Sequence, residues 1–390
     1  MRFTGLAMTD RLLSTRLLGF PLRNPIVAAS GPSTQDFESI RRLSDAGIGA
    51  AITKTIVVEP SVNPRPCLHR GKGYFFNTER CSTLPLSRWL GEELPRLREL
   101  PIPVIASIGM TATDVAELAR PVVEAGADML ELSIFTRYDD PEPMIDALDR
   151  VKQEVDVPIL VKLSCNVHDV VAFGVVLRAH GAAGFSSIDA LKAGMDIEVA
   201  SGRPVLGEQG YGRISGEAIR TLALYHVAML NHYIGLPVIG TGGILSGEDA
   251  VKMLSCGAQC VGVCTGLILG GPAAVPRLIA EMSEAIERCG KTSVDEVRGR
   301  TLSFIDFPGD EEARREYEHV VWRGPRGTAA IEHDRCVACG HCQQVCPHGA
   351  IRSEDSAYVI LPNNCEGCGL CVSLCPVSAI EWNRPAEETP

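Results

Sequence analysis

Pro237-Val238-Ile239-Gly240-Thr241-Gly242-Gly243 is an apolar run that breaks directly into bare glycine. It is too short for a helix and shows no polar–apolar alternation, so it reads as a strand covered on both faces. Seven further runs of the same kind surround it: Pro25–Ser30, Gly49–Thr55, Pro103–Gly109, Met129–Phe135, Pro158–Ser164, Gly184–Asp189 and Cys260–Thr265. The stretches between them include Asp114–Ala125, Glu142–Glu154, Val167–His180 and Gly247–Cys256. These carry apolar residues at three- and four-residue spacing, the mark of amphipathic helices. Eight strand–helix units within residues 20–285 predict an α/β fold closed into a (β/α)8 TIM barrel. A doubly wound sheet alternates in the same way but ordinarily holds fewer strands.

The end of the chain is of another kind. Cys336, Cys339, Cys342 and Cys346-Pro347 are followed at the same spacing by Cys365, Cys368, Cys371 and Cys375-Pro376. Two C-x2-C-x2-C-x3-C-P runs are the spacing of a two-cluster bacterial-type ferredoxin, in which the fourth thiolate of each run ligates the other run's cluster. The spacing therefore assigns Cys336, Cys339, Cys342 and Cys375 to one 4Fe-4S centre, and Cys365, Cys368, Cys371 and Cys346 to a second. Zinc is the main rival for paired C-x2-C motifs, but it has no use for a third Cys and a C-P ending, twice over. The expected organisation is a barrel at residues 1–289 and a linker at 290–330, which includes the charged run Asp310–Glu318. A small α+β two-cluster ferredoxin-like domain follows at 331–385.

Composition agrees with one large domain and one small one: 390 residues, 45% hydrophobic and 22% charged. A net charge of −11 with no Lys/Arg block gives no electrostatic footprint for nucleic acid or anionic lipid. No apolar run approaches the length of a membrane span. The N-terminus has neither the apolar core nor the cleavage site of a secretion signal, so a cytoplasmic location is expected, which suits thiolate-ligated clusters. The remaining cysteines, at 67, 81, 165, 256, 260, 264 and 289, read as small buried hydrophobes.

Active sites of (β/α)8 barrels lie at the C-terminal ends of the strands. Strand seven ends in Gly240-Thr241-Gly242-Gly243-Ile244 and strand eight in Cys264-Thr265-Gly266. Backbone amides after these two strands commonly cradle a phosphate, and glycine lets the phosphate come close; the alternative is an ordinary tight turn. Lys54 after strand two and Lys162 on strand five place two cations at the mouth of one apolar barrel, which is costly without an anionic partner. A flavin mononucleotide, FMN, supplies that partner, since a nearby Lys stabilises the charge its ring gains on reduction. A Schiff base or a plain salt bridge is the alternative use of such a lysine.

Ala29-Ser30-Gly31, Ile52-Thr53-Lys54-Thr55, Asn63-Pro64-Arg65, Val161-Lys162-Leu163, the Gly240–Ile244 segment and Gly247-Glu248-Asp249-Ala250 together resemble the dihydroorotate dehydrogenase-like flavoprotein family. A flavin barrel followed by a two-cluster ferredoxin, with Phe75-Phe76-Asn77-Thr78-Glu79 and then Trp89, is similar to the FMN/ferredoxin half of the dihydropyrimidine dehydrogenases and their bacterial catalytic subunit. The resemblance spans nearly the whole chain. It implies that Ala29, Ser30 and Gly31 contact flavin, that Lys54 and Thr55 lie under its ring, and that Lys162 sits near its pyrimidine edge. It further implies that Ser215, Gly216, Gly242, Gly243, Cys264 and Thr265 line the ribityl-phosphate. Asn77 and Glu79 would face substrate, and a homodimer is implied.

The match fails at substrate-facing positions. Where the family has Leu-Asn-Leu-Ser-Cys-Pro, with Cys as the acid/base, this chain has Leu132-Ser133-Ile134-Phe135-Thr136-Arg137-Tyr138, and strand six ends in Asp189-Ala190. Ser133 and Asp189 cannot reproduce a paired-Asn amide clamp, so a different ring is bound, or bound differently. The candidate proton donors are Tyr138, on the loop where the family's acid sits, Thr136 as its poor positional substitute, Asp189 if desolvation raises its pKa, Glu79 and Cys81. Arg137 is a candidate clamp for a substrate carboxylate. His168 reads as the start of a helix, and Gly207–Gly212 as a loop that covers the ring or merely connects.

These readings predict an FMN-dependent, iron–sulfur oxidoreductase acting on a C=C bond of a small cyclic, heterocyclic substrate. No G-x-G-x-x-G fingerprint is present, so an external redox partner, an NAD(P)H-oxidising flavoprotein or a ferredoxin, is expected to exchange electrons with the clusters. Two alternatives stand beside it: uracil/thymine dehydrogenase activity with a rearranged acid, and an electron-transfer subunit with no organic substrate.

Overall fold

The computed structural model describes residues 12–134, 140–167, 169–207, 209–307, 328–354 and 357–383. Two units divide the chain, residues 1–306 and 307–390. The first is a closed parallel barrel of β1 (Ile26–Ala28), β2 (Ala50–Ile52), β3 (Val104–Ile108), β4 (Met129–Leu132), β5 (Ile159–Leu163), β6 (Gly184–Ser187), β7 (Val238–Thr241) and β8 (Cys260–Val263). Parallel pairing of Val261 with Ile26 and of Val27 with Ala50 ties β8 to β1 and β1 to β2. All eight predicted runs are barrel strands. Only Lys162 on β5 and Thr241 on β7 are not fully buried, and both stand at the C-terminal end of their strands.

Helices on the outside include α1 (Phe37–Ala46), α2 (Ala112–Ala125), α3 (Glu142–Glu154), α4 (Val170–Ala179), α5 (Arg220–Met229), α6 (Gly247–Ser255) and α7 (Ala274–Arg288). Their starts are written locally. Thr111 and Asp114 form a capping box on α2, Ser246 and Asp249 one on α6, and Asp36 accepts from the Ser39 amide on α1. Each cap contributes about 1 kcal/mol. At the opposite end, the hairpin of Thr15–Leu17 and Phe20–Leu22 inserts Leu17 and Leu22 into the cluster formed by Ala50, Met129, Cys260 and their neighbours. It closes the end where the strands begin.

Two excursions build what lies over the other end. The β2–β3 connection forms the strands Leu68–Arg70 and Phe75–Asn77, and the β6–α5 connection forms Leu191–Gly194 and Gly212–Ser215. They join as one four-stranded antiparallel sheet, with Gly212–Ser215 paired to Phe75–Asn77. The Gly207–Gly212 connector expected from sequence therefore ends in a strand. The expectation that the tether starts at residue 290 is also corrected. Val294 and Val297 are fully buried, the Val294 amide donates to the Leu12 carbonyl, and Gly299 and Thr301 donate to Leu254 and Ser255. Residues 290–306 thus belong to the barrel unit. The charged run 310–318 lies outside the described residues.

In the second unit, Thr328–Ile331 pairs antiparallel with Ile380–Asn383, and Ile351–Glu354 with Ala357–Ile360. Short helices His341–Val345 and Leu370–Leu374 follow glycines at φ 74, Gly340 and Gly369. The halves repeat one another: Ala338 (φ 53) corresponds to Gly367 (φ 72), and Ser378 (φ 50) to Gly349 (φ 59). Among the described residues no helix is long and apolar enough to cross a membrane.

Candidate active site

A cavity of about 700 Å³ opens at the C-terminal end of the barrel strands. This is within the usual size of a cofactor or ligand pocket. One end is bare main chain: Gly242 has φ 134, Gly243 φ 71 and Gly216 φ 74. A Cβ on Gly243 would stand 2.9 Å from both Arg220 Cα and the Gly216 carbonyl oxygen, so no side chain fits there. Ser215 Oγ and Thr265 Oγ1 lie 3.1 Å apart beside them. Small residues, hydroxyls and close backbone fit a phosphate.

At the other end stand charges. Lys54 Nζ is 2.6 Å from Glu79 Oε2, with both side chains nearly buried. Lys162 Nζ lies 3.6 Å from Asp189 Oδ1 and 4.0 Å from Glu131 Oε1, and Arg213 Nη1 lies 3.3 Å from Asp189 Oδ2. Burial works against the Lys162 charge, but Asp189 and Glu131 outweigh it and raise the ammonium above its ordinary value. Burial likewise works against the Asp189 carboxylate, yet Lys162 and Arg213 hold it below the usual range. Desolvation therefore does not turn Asp189 into an acid. It stays ionised, and that expectation is corrected. Ser30 Oγ, Thr55 Oγ1 and Ser107 Oγ form a hydroxyl chain with 3.3 and 3.1 Å steps between β1, β2 and β3.

The structure brings together Ala29, Ser30, Gly31, Lys54, Thr55, Lys162, Ser215, Gly216, Gly242, Gly243, Cys264 and Thr265 on this cavity, with Asn77, Glu79, Ser133 and Asp189. Thr136, Arg137 and Tyr138, like His168, lie outside the described residues. Sequence reasoning missed Arg213 and Glu131, the charges that fix Asp189 and Lys162. The Arg213 signal was the alternation Gly212-Arg213-Ile214-Ser215, too short to read as a strand alone. Cys81 and Cys264 line the cavity, so they are more than core filling; burial pushes the Cys264 thiol up to about 11.

Within the second unit, Cys336, Cys339, Cys342 and Cys375 line one small cavity with Ile331, Val337, Tyr358, Val377 and Ile380. Cys375 of the second run therefore lines the same small cavity as three cysteines of the first. The Ala350 amide donates to Cys346 Sγ at 3.3 Å and the Ala379 amide to Cys375 Sγ at 3.2 Å, equivalent bonds that favour thiolate sulfur. These thiols fit a cluster of the ferredoxin kind.

A phosphate-ready glycine cradle, a ring site whose lysines are ion-paired to Glu79, Asp189 and Glu131, and cysteines at cluster spacing define a class: an oxidoreductase pairing a flavin barrel with an iron–sulfur domain. Residues 12–286 match the family "Dihydroorotate dehydrogenase", and residues 329–382 match "4Fe-4S dicluster domain". The chain belongs to the dihydroorotate dehydrogenase family. It is 32% identical over 301 residues to "Dihydroorotate dehydrogenase B (NAD(+)), catalytic subunit" of Geobacillus kaustophilus, covering 74% of this chain and 95% of that one. The protein of the same description from Methanothermobacter thermautotrophicus is 30% identical over 299 residues, covering 74% and 98%.

Proposed function

We propose that the chain is an FMN-dependent oxidoreductase that reduces, or in reverse dehydrogenates, a C=C bond of a small heterocycle. Its electrons pass through two 4Fe-4S clusters to or from an external redox partner. The observation that carries this reading is the convergence of Lys54, Lys162 and the Gly216/Gly242/Gly243 backbone on one cavity. Gly242, Gly243, Gly216, Ser215 and Thr265 would hold the phosphate. Ser30, Thr55, Lys54 and Lys162 would hold the ring, whose N5 supplies or accepts hydride when the cofactor is bound. The protonated Lys162 would stabilise charge gained at the ring on reduction. Asn77, Glu79 and Ser133 would orient the substrate. Arg213, held by Asp189, closes the site from the small sheet.

Cys336, Cys339, Cys342 and Cys375 would hold one cluster, and Cys365, Cys368, Cys371 and Cys346 the other. The relatives' description as an NAD(+)-linked catalytic subunit supports an external nicotinamide-oxidising partner. A substrate is favoured over a pure relay because the cavity wall beyond the flavin residues is polar and built, with Asn77, Ser133, Asp189 and Arg213 on it. The test is anaerobic mixing of dithionite-reduced holoenzyme with uracil, thymine and orotate. Reoxidation of the flavin by one of these rings is expected. If none reoxidises it, the relay reading takes over.

A further inference from the structure

We propose that the Arg220–Asp249 ion pair is the positioning device of the phosphate cradle: a clamp behind the glycines that touches no ligand itself and sets how tightly FMN is held by its phosphate. The inference rests on the reading that this cradle takes the FMN phosphate. Two separate connections build the cradle. Gly216 lies between β6 and α5, while Gly242 and Gly243 lie between β7 and α6. All three have positive φ, at 74, 134 and 71. Glycine has the least constrained backbone, so three of them in two loops keep one arrangement only where something else fixes it. A main-chain anion site gains affinity when that arrangement exists before the anion arrives.

Arg220, the first residue of α5, fixes both connections. A Cβ on Gly243 would meet Arg220 Cβ at 2.5 Å and Cα at 2.9 Å, so the two main chains are in direct contact. Arg220 Nη1 donates to the Gly243 carbonyl at 3.4 Å and lies 3.0 Å from Asp249 Oδ1. Asp249 accepts in turn from the Leu245 and Ser246 amides through Oδ2, at 3.2 and 3.1 Å. One carboxylate thus joins the guanidinium at the start of α5 to the main chain that follows the Gly242-Gly243 turn.

Helix capping does not account for this contact. Ser246 Oγ accepts from the Asp249 amide and completes the capping box of α6 without Arg220. The bond to Arg220 is additional, and it crosses to the other connection. The side chains are 23% and 7% exposed, so the pair is largely out of water. Removing one partner leaves the other charge shielded and unpaired, unlike a surface pair, whose loss costs little. Glu217, 3.6 Å from Arg220 Nη2, is 55% exposed and a poor substitute. Neither Arg220 nor Asp249 is among the residues lining the cavity, so the pair acts through the glycine backbone.

The test is fluorescence titration of the full chain, clusters in place and flavin removed, with FMN and with riboflavin, which lacks the phosphate. Asp249→Asn keeps an acceptor for the two amides but breaks the ion pair, whereas Ser246→Ala loosens the cap and leaves the pair. R220A and D249N should weaken FMN at least ~10-fold and change riboflavin less than ~2-fold. The double variant should be no weaker than the worse single, since both remove one interaction. R220K should recover part of the loss, and S246A should lower thermal stability without changing FMN affinity. The phosphorus resonance of bound FMN should move in D249N while the flavin absorbance stays as in wild type. Wild-type FMN affinity in R220A and D249N overturns the clamp. So do equal losses for FMN and riboflavin, or a loss in S246A as large as in D249N, because a merely structural pair would give these. A wild type that takes up no FMN overturns the cofactor reading and the clamp with it. Should R220A fail to fold, D249N against S246A decides; should riboflavin bind too weakly to titrate, the phosphorus resonance decides.

Discussion

At the level of single residues, the site rests on glycines without side chains and on charges paired with one another. Gly243→Ala places a Cβ against Arg220 Cα and the Gly216 oxygen at φ 71. Left-handed backbone alone costs a non-glycine residue about 1–2 kcal/mol. The expected result is at least a tenfold weaker FMN affinity by fluorescence titration, with thermal stability as the control for folding. Lys162→Met removes the cation shared by Asp189 and Glu131, and should shift the flavin midpoint potential downward in spectroelectrochemistry. The pH dependence follows from the same pair. Asp189 is depressed, so its stabilisation is lost only as pH falls through that lowered value; Lys162 is raised, so its share is lost only as pH rises through that raised value. Between those limits the Asp189–Lys162 pair should add no titration of its own to the flavin spectrum. Gly242, Gly243, Lys54 and Lys162 were legible in the sequence because each lies at or just after the end of a barrel strand, whereas Gly216 was implied only by the family resemblance. Glu131 was not, because a buried acid inside an apolar run shows its partner only once β4 and β5 lie side by side.

Among the secondary-structure elements, the barrel strands could be read because parallel strands covered on both faces need uninterrupted apolar runs. The four-stranded sheet over the mouth escaped because its strands are three or four residues long and come from two distant connections. Residues 290–306 were misread for a related reason: Val294 and Val297 are two isolated apolar residues among polar ones, and their burial depends on contacts with Leu12, Leu254 and Ser255. Helix α5 holds a different liability. His226 on it is buried with Nδ1 unpartnered among the described residues, and burial pushes it from 6.5 down to about 4. The unfolded chain binds this proton more readily, so folding stability falls as pH drops from about 6.5 toward about 4. A shift of that size is worth at most about 3 kcal/mol. Urea melts across this window should show the loss, and His226→Leu should flatten it.

For the molecule as a whole, one chain holds a barrel that binds a two-electron cofactor and a domain built to hold one-electron clusters. The Cys spacing predicts two clusters that exchange fourth ligands, and Cys375 lines a cavity with Cys336, Cys339 and Cys342. What the spacing could not state is the chemistry at the far end of the electron path, which depends on side chains gathered from β2, β4, β6 and the small sheet. Cys375→Ser and Cys346→Ser should each lower iron content by about half while sparing FMN, and each should remove a different electron paramagnetic resonance signal. The most direct test of the central claim is an anaerobic dithionite titration of the reconstituted protein, followed by flavin absorbance and cluster resonance together. About four electrons per chain are expected, two bleaching the flavin and one for each cluster. Uptake of only two electrons, or a protein with clusters whose barrel takes up no flavin, would contradict the account.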